Sequence, residues 1–146
     1  MPAFLPDTSC MIAAVCGWHE HHERAAAEIE RRLRRGDTMV VAAAALVEAY
    51  AVLTRLPSPH RLAPGTALEI LEANFVSGRR IIALDGGGYR TLLQEGPRRG
   101  ISGGRTYDAV IEACARRGRA ATLVTFNLRD FSSLADSALS IVAPAG

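Results

Sequence analysis

The stretch AFLPDTSCMIAAV, residues 3–15, contains a change from strand pattern to helix pattern that indicates the fold. Residues Ala3 to Leu5 are apolar and predict a short buried strand, which ends at Pro6 and Asp7. The residues from Cys10 to Val15 have helical character. The stretch is therefore a strand, a turn and a helix, in that order.

The same alternation continues along the rest of the chain. Apolar residues recur at helical spacing, and glycine or proline marks the ends of the segments. The predicted helices cover residues 21–35, 43–55, 64–76 and 106–117, with a shorter one ending near 94; the predicted strands after the first cover residues 38–42, 80–84, 121–125 and 139–143. The glycine triplet 86–88 and residues 127–131 are predicted turns, and residues 96–104 a flexible connection. Strands that alternate with helices predict an α/β fold with a parallel sheet and helices on both faces.

The length and composition predict one globular domain, residues 1–146. Hydrophobic residues make up 49% and charged residues 22%, which excludes a disordered or coiled-coil protein. The three cysteines, Cys10, Cys16 and Cys114, lie in apolar helical stretches without the paired spacing of a zinc site. We expect them to be reduced and packed in the core.

The N-terminal sequence lacks the basic region of a signal peptide, so a cytoplasmic location is expected. The longest apolar run, residues 39–53, is too short to span a bilayer and contains Glu48, which favours a buried helix and no membrane segment. All 17 basic residues are arginine. The absence of lysine excludes a Walker A nucleotide site and Schiff-base chemistry.

Four acidic residues occupy places where apolar or neutral residues are usual: Asp7 after the first strand, Glu48 within an apolar helix, Asp108 near a helix start and Asp130 after the fourth strand. An isolated carboxylate among apolar groups costs several kcal/mol unless it is protonated, paired or bound to a cation. Ligands of open α/β sheets bind beyond the carboxyl ends of the strands. The four acids can therefore meet in one cleft there.

Carboxylate oxygens are the ligands that Mg²⁺ and Mn²⁺ prefer. Such an ion can activate a water for in-line attack at phosphorus, which makes a metal-dependent nuclease the favoured function. Each acid also has an ordinary structural explanation: Asp7 and Asp130 as helix N-caps, and Asp108 as a partner of a helix dipole. Glu48 has no comparably simple role.

Four motifs occur in the order found in PIN-domain ribonucleases: FLPDTSCMIAAV, LVEAYAVLTRLP, YDAVIEACARRG and LVTFNLRDF. The chain resembles a VapC-type toxin of a type II toxin-antitoxin (VapBC) system over nearly its whole length. The resemblance implies a doubly wound sheet of strand order 3-2-1-4-5 and an endoribonuclease that uses Mg²⁺ or Mn²⁺ to cleave RNA. It also implies a VapB-like antitoxin, a toxin homodimer and a toxin-antitoxin hetero-oligomer.

The resemblance further implies roles for individual residues. Asp7, Glu48 and Asp108 match the acidic triad that holds the metal, and Ser9 and Thr125 match the hydroxyl positions that support it. The fourth position is ambiguous in this chain. Asn127 or Asp130, or both, can complete the site, and Asp130 is the better anionic candidate. An asparagine would make the site less negative and brings a second metal into question.

Other conspicuous residues have less specific interpretations. The run HEHHE, residues 19–23, has metal-like spacing, but we interpret it as the solvated face at the start of an exposed helix. Trp18 and Tyr107 could stack on bases, but core or interface packing is the favoured interpretation. The candidates for RNA contact flank the glycine-rich connection before the third acid: Arg98, Arg99 and Arg105.

Two alternatives to a nuclease remain open from the sequence. A haloacid-dehalogenase-like phosphohydrolase would use Asp7 as nucleophile, but Ser9 stands where that family has a second aspartate, and the usual lysine is absent. A non-catalytic binding module would use the same acids to accept an antitoxin arginine or to stabilise helix ends. Binding of Mn²⁺ to the purified protein would discriminate against the module.

Overall fold

One sheet of five parallel strands forms the centre of the computed structural model, which describes residues 2–146. The strands are β1 (Ala3–Pro6), β2 (Thr38–Ala42), β3 (Arg80–Ile82), β4 (Thr122–Val124) and β5 (Ser140–Val142). Their order is β3-β2-β1-β4-β5, and every neighbouring pair is parallel. The α/β class and the strand order expected from the sequence are therefore confirmed.

Helices fill the connections between the strands, as parallel pairing requires. They are α1 (Thr8–Val15), α2 (His22–Arg34), α3 (Ala43–Thr54), α4 (Pro64–Leu71), α5 (Gly86–Arg99), α6 (Arg105–Arg117) and α7 (Leu128–Phe131). A π-helical turn, Glu72–Val76, follows α4, and a 3₁₀ turn, Ser132–Leu134, follows α7. Helix α1 packs on α2 and on α3, and α3 packs on α4, whereas α6 packs against β2, β3 and β4.

The core is built from the apolar side chains of the three central strands. Phe4 and Leu5 of β1, Val40 and Val41 of β2 and Leu123 of β4 are almost completely buried. Burying one such side chain contributes about 1.5–3 kcal/mol relative to exposure. These strands therefore form a rigid base, and residues just beyond their carboxyl ends are held in fixed positions.

A buried ion pair fastens the C-terminal residues to α2. Glu28 is 2% exposed and accepts hydrogen bonds from Arg31 at 2.6 Å, from Arg32 at 2.7 Å and from the Ala145 backbone at 3.0 Å. Burial alone would raise the pKa of Glu28, but these three donors outweigh it and lower the pKa below its ordinary value. The carboxylate is thus kept charged beneath the surface.

The region after β3 differs from the prediction. Asp85 caps α5 through a 2.7 Å hydrogen bond from the Gly88 backbone, so the glycine triplet is the first turn of this helix and not a separate turn. The helix continues through Pro97 to Arg99, and it ends at Gly100 with φ of +67°. The predicted flexible connection is therefore shorter than expected, because a proline near the end of a helix forfeits only one backbone hydrogen bond.

Smaller differences and agreements concern the other segments. Residues 127–131, predicted as a turn, contain the short helix α7, and the predicted helix start near residue 21 is instead His22. The three cysteines are buried free thiols, as expected. Within residues 2–146, the helices fall short of the length and apolar character that crossing a bilayer demands.

Candidate active site

Asp7 is the most deeply buried acid of the candidate site. It follows β1 and caps α1, with a side chain only 2% exposed. Its Oδ1 accepts hydrogen bonds from the Ser9 hydroxyl at 2.7 Å and from the Cys10 backbone at 3.0 Å, and its Oδ2 accepts one from the Thr125 hydroxyl at 2.5 Å. The sequence interpretation as an N-cap and the one as a site residue are thus both compatible with its position.

Two opposing effects set the protonation of Asp7. Burial raises its pKa above 3.8, because water is excluded from the carboxylate. The hydrogen bonds from Thr125, Ser9 and Cys10 lower it, and burial outweighs them. A carboxylate in this position is stabilised further by any cation that approaches it.

The two hydroxyl side chains also connect the ends of β1 and β4. The Ser9 hydroxyl accepts a hydrogen bond from the Phe126 backbone at 3.2 Å, and the Thr125 hydroxyl accepts one from the Asn127 backbone at 2.9 Å. Each hydroxyl therefore donates to Asp7 and accepts from the segment that follows β4. This arrangement fixes the carboxylate relative to two neighbouring strands.

Asp108 lies within electrostatic reach of the other three acids. The pKa of Asp108 is raised to about 6, first by burial and then by the negative charges of Asp130, Asp7 and Glu48, whereas the positive charge of Arg105 lowers it. Asp108 is in the first turn of α6, Asp130 in that of α7, and Glu48 is on α3. The fold thus brings together the four acids that the sequence singled out.

The four carboxylates are not gathered into ligand spacing around one point. Across the described part of the chain, no group of three or more His, Cys, Asp and Glu side chains is close enough to hold a metal ion. Like charges at short range repel, and that repulsion contributes to the raised pKa of Asp108. The donor set is nevertheless hard oxygen, and a divalent cation would offset the repulsion, so these residues fit Mg²⁺ or Mn²⁺.

The two candidates for the fourth position have different surroundings. Asp130 is the largest contributor of negative charge at Asp108. Asn127 instead lines a polar pocket of about 510 Å³ together with Ser9 and Glu48. Of the two residues, Asp130 is therefore the one that adds negative charge near Asp108.

Of the three arginines considered for RNA contact, Arg105 is the one beside the acids. It acts electrostatically on Asp108 and hydrogen-bonds the Ser133 hydroxyl. Arg98 and Arg99 are in the last turn of α5, where both lie 4.0 Å from Glu95. Arg99 also donates to the buried Glu112 at 3.3 Å. Arg99 is thus committed to ion pairs within the fold.

The polar pocket also contains residues that the sequence interpretation left out of the site. His19, Glu20 and His21 line it opposite Ser9 and Asn127. His19 and His21 precede α2, and the His21 ring stacks on Phe126, a residue far along the chain. The local HEHHE pattern carries no signal of that packing.

Comparison with known proteins defines the class of this chain. Residues 4–137 match the PIN domain family. Ribonuclease VapC40 of Mycobacterium tuberculosis is 42% identical over 124 residues, which are 85% of this chain and 86% of that protein. The chain therefore belongs to the PIN-domain family, and within it to the VapC-type proteins.

Solved structures share the fold at lower identity. VapC20 of Mycobacterium tuberculosis, a sarcin-ricin-loop-cleaving toxin, superposes with a TM-score of 0.69 at 14% identity, covering 92% of this chain and 97% of its own. DNA-bound VapBC from Salmonella typhimurium superposes with a TM-score of 0.67 at 24% identity, and the match covers 99% of this chain and 100% of that one. VapBC2 from Rickettsia felis, bound to a promoter DNA fragment, superposes with a TM-score of 0.68 at 19% identity, and the match covers 97% of this chain and 98% of that one.

Proposed function

We propose that this chain is the toxin of a VapBC-type toxin-antitoxin module, a cytoplasmic single-domain endoribonuclease that depends on Mg²⁺ or Mn²⁺. The observation that carries the proposal is the buried Asp7 carboxylate, held by three hydrogen bonds and accompanied by Glu48, Asp108 and Asp130 at one edge of the sheet. The identity to Ribonuclease VapC40 supports RNA as the substrate.

In the proposed mechanism, Asp7, Glu48 and Asp108 would together hold the metal ion. A bound ion of this kind supplies an activated water and neutralises charge at the reacting phosphate. Ser9 and Thr125 keep both oxygens of Asp7 in fixed directions, so the carboxylate does not have to be reoriented when RNA binds. Asp130 adds negative charge that favours cation binding, and Arg105 lies where it can contact a phosphate of the substrate.

The residues of the site argue against the phosphohydrolase alternative. That family has a second aspartate two residues after the nucleophile, where this chain has Ser9, and its usual lysine is absent because all 17 basic residues are arginine. Ser9 is occupied as a donor to Asp7 and offers no second carboxylate.

We further propose that a VapB-like antitoxin occupies a groove of about 530 Å³ beside α2. Its floor is apolar and its rim carries Glu30, Arg34 and Arg79, a combination that suits an amphipathic helix. The VapBC complexes with the same fold support a partner of this type. Ala26→Arg would fill this groove.

A second toxin copy is assigned to the other large groove, of about 540 Å³ between α3, α5 and α6. It is almost wholly apolar, and Val47 and Tyr107 on it are each 71% exposed. Glu48 lines the same groove, so pairing here would bring two acidic sites near each other. Val47→Asp should abolish the dimer and leave antitoxin binding intact, whereas Ala26→Arg should do the reverse; light scattering and a pull-down measure the two effects.

The enzymatic part of the proposal is tested with purified toxin freed of antitoxin. Wild-type protein should bind Mn²⁺ in calorimetry and cleave RNA, with loss of cleavage on chelation and recovery on adding Mn²⁺ or Mg²⁺. Asp7→Asn should lose both properties while keeping the circular dichroism spectrum of the wild type. If the wild type binds no Mn²⁺ and Asp7→Asn changes nothing, the chain is a non-catalytic binding module.

A further inference from the structure

A row of five aromatic and imidazole rings lies next to the acidic site. Ordered along the row, they are His60, Trp18, His19, His21 and Phe126. Successive ring centroids are 4.1, 5.8, 5.8 and 4.7 Å apart, and the first and last pairs are stacked. We call this set the ring row. It joins the loop before α4 to the end of β4.

Contacts between the rings and with neighbouring groups fix the orientation of the ring row. Phe126 stacks on His21 at an interplanar angle of 19°, and the Arg24 guanidinium lies 5.3 Å from the Phe126 ring centre. Trp18 stacks on His60 at 23°. The His19 ring accepts a hydrogen bond at Nδ1 from the His21 backbone at 3.0 Å. The rings therefore hold definite orientations before any ligand arrives.

Despite this support, the row remains accessible to solvent. Trp18 is 49% exposed, and the side chain of His21 is 36% exposed. The sequence predicted core or interface packing for Trp18, and the core part of that prediction is wrong because about half of the residue is exposed. Large exposed rings of this kind are suited to stacking on a planar ligand.

The row leads directly to the proposed cleavage site. His19 and His21 line the polar pocket, whose other walls include Ser9, Glu48 and Asn127. At the end of the row, the Phe126 backbone donates to the Ser9 hydroxyl, which in turn donates to Asp7. A polynucleotide with a phosphate at the acids would thus place its neighbouring nucleotides against the rings.

We propose that the ring row is a stacking surface for unpaired RNA nucleotides that flank the scissile phosphate. This inference rests on the proposed ribonuclease function and assigns the substrate a single-stranded segment, because paired bases have no free face to stack. Trp18 and His21 provide the stacking faces, and His60 and Phe126 hold them. Glu20, which is 83% exposed and 3.5 Å from His21, places an unfavourable charge for RNA phosphates beside the row.

Trp18 gives the inference a direct spectroscopic test, since it is the chain's single tryptophan. A single-stranded RNA of about ten nucleotides, in the range of known stacking sites, is titrated into the Asp108→Asn protein, which should leave the RNA uncut. Stacking should quench Trp18 fluorescence saturably, whereas a duplex of the same sequence should not. Equal quenching by the duplex, or none by the single strand despite binding, overturns the inference.

Variants separate stacking from folding. Trp18→Ala and His21→Ala should each weaken RNA binding about 5-fold to 150-fold, the equivalent of about 1–3 kcal/mol per stacked base. Trp18→Phe should retain most of the affinity, and Glu20→Gln should increase it. Tyr50→Ala removes a 39% exposed ring on α3 that lines neither the polar pocket nor either groove, and it serves as the matched control without effect. Melting temperatures confirm that each variant is folded.

The outcomes distinguish this inference from the function on which it rests. Full RNA affinity and cleavage in both alanine variants overturns the ring-row assignment and leaves the nuclease intact. Loss of antitoxin binding with unchanged RNA affinity assigns the row to the protein partner and also overturns it. A wild-type protein that cleaves no RNA in the presence of Mn²⁺ contradicts the proposed function itself.

Discussion

Replacing Asp108 by asparagine should stabilise the metal-free protein at neutral pH. The wild-type carboxyl has a pKa raised to about 6, because burial and the charges of Asp130, Asp7 and Glu48 disfavour its ionised form. Its folded pKa lies above the unfolded value of 3.8, so the proton binds the folded state more tightly. The stability that protonated Asp108 contributes to the folded state is complete below about pH 4 and is lost as the pH rises through 6. Asparagine carries no charge, so the variant loses no stability at this position over the same pH range.

The size of the effect follows from the shift in pKa. A rise from 3.8 to about 6 is roughly two units, which corresponds to at most about 3 kcal/mol at 1.36 kcal/mol per unit. Asp108 is only partly buried, and solvent screening reduces this to about 1 kcal/mol. For a domain of this size, 1 kcal/mol changes the melting temperature by roughly 2–4 °C. The variant should therefore melt a few degrees higher at pH 7.5.

The assay is thermal unfolding of both proteins from pH 4 to pH 8 in the presence of a chelator. The difference in melting temperature should be near zero at pH 4, open between pH 4 and 6, and stay constant above pH 7. Adding Mn²⁺ at pH 7.5 should stabilise the wild type more than the variant, since a ligand that binds only the folded state raises stability. A wild type that is the more stable protein at pH 7.5 without metal, or a difference independent of pH, refutes the reasoning.

Three further perturbations test other parts of the site and the fold. Thr125→Val removes a hydrogen bond to Asp7 and should weaken Mn²⁺ binding about 10-fold to 100-fold in calorimetry, with Thr125→Ser restoring it; equal affinities would contradict this. Glu28→Ala leaves buried arginine unpaired and should cost about 3–5 kcal/mol in urea unfolding, whereas a cost below about 1 kcal/mol would refute the pair's importance. Arg105→Ala removes the charge that lowers the pKa of Asp108, so the midpoint of Mn²⁺ binding against pH should move upward, and a downward movement would contradict that assignment.

Much of the fold was predictable because local and global signals agree in it. The strand β2, residues 38–42, was predicted with its observed bounds, since an apolar run between glycine and an alanine-rich helix has one consistent interpretation. The helix α5 was not predicted with its observed bounds, because glycine and proline usually mark a loop. There, the Asp85 cap and the late position of Pro97 make a helix possible despite those residues.

The positions of the candidate acids were predictable from the sequence, and the contacts between the rings beside them were not. Asp7 and Asp108 stand out because each lies at a fixed place relative to a strand or helix end, which the sequence pattern locates. The stacking of His21 on Phe126 joins residues far apart in sequence. No local periodicity encodes such a contact, so the histidines were interpreted as a solvated helix face.

The measurement that tests the central claim most directly is the mapping of new RNA 5′ ends after induction of the toxin in cells. Wild-type protein and Asp7→Asn, produced at equal levels, are compared. Discrete new ends should appear with the wild type and be absent with Asp7→Asn, because the buried carboxylate is required to hold the metal. The same ends in both samples, or none in either, would contradict the assignment of this acidic site as a ribonuclease centre.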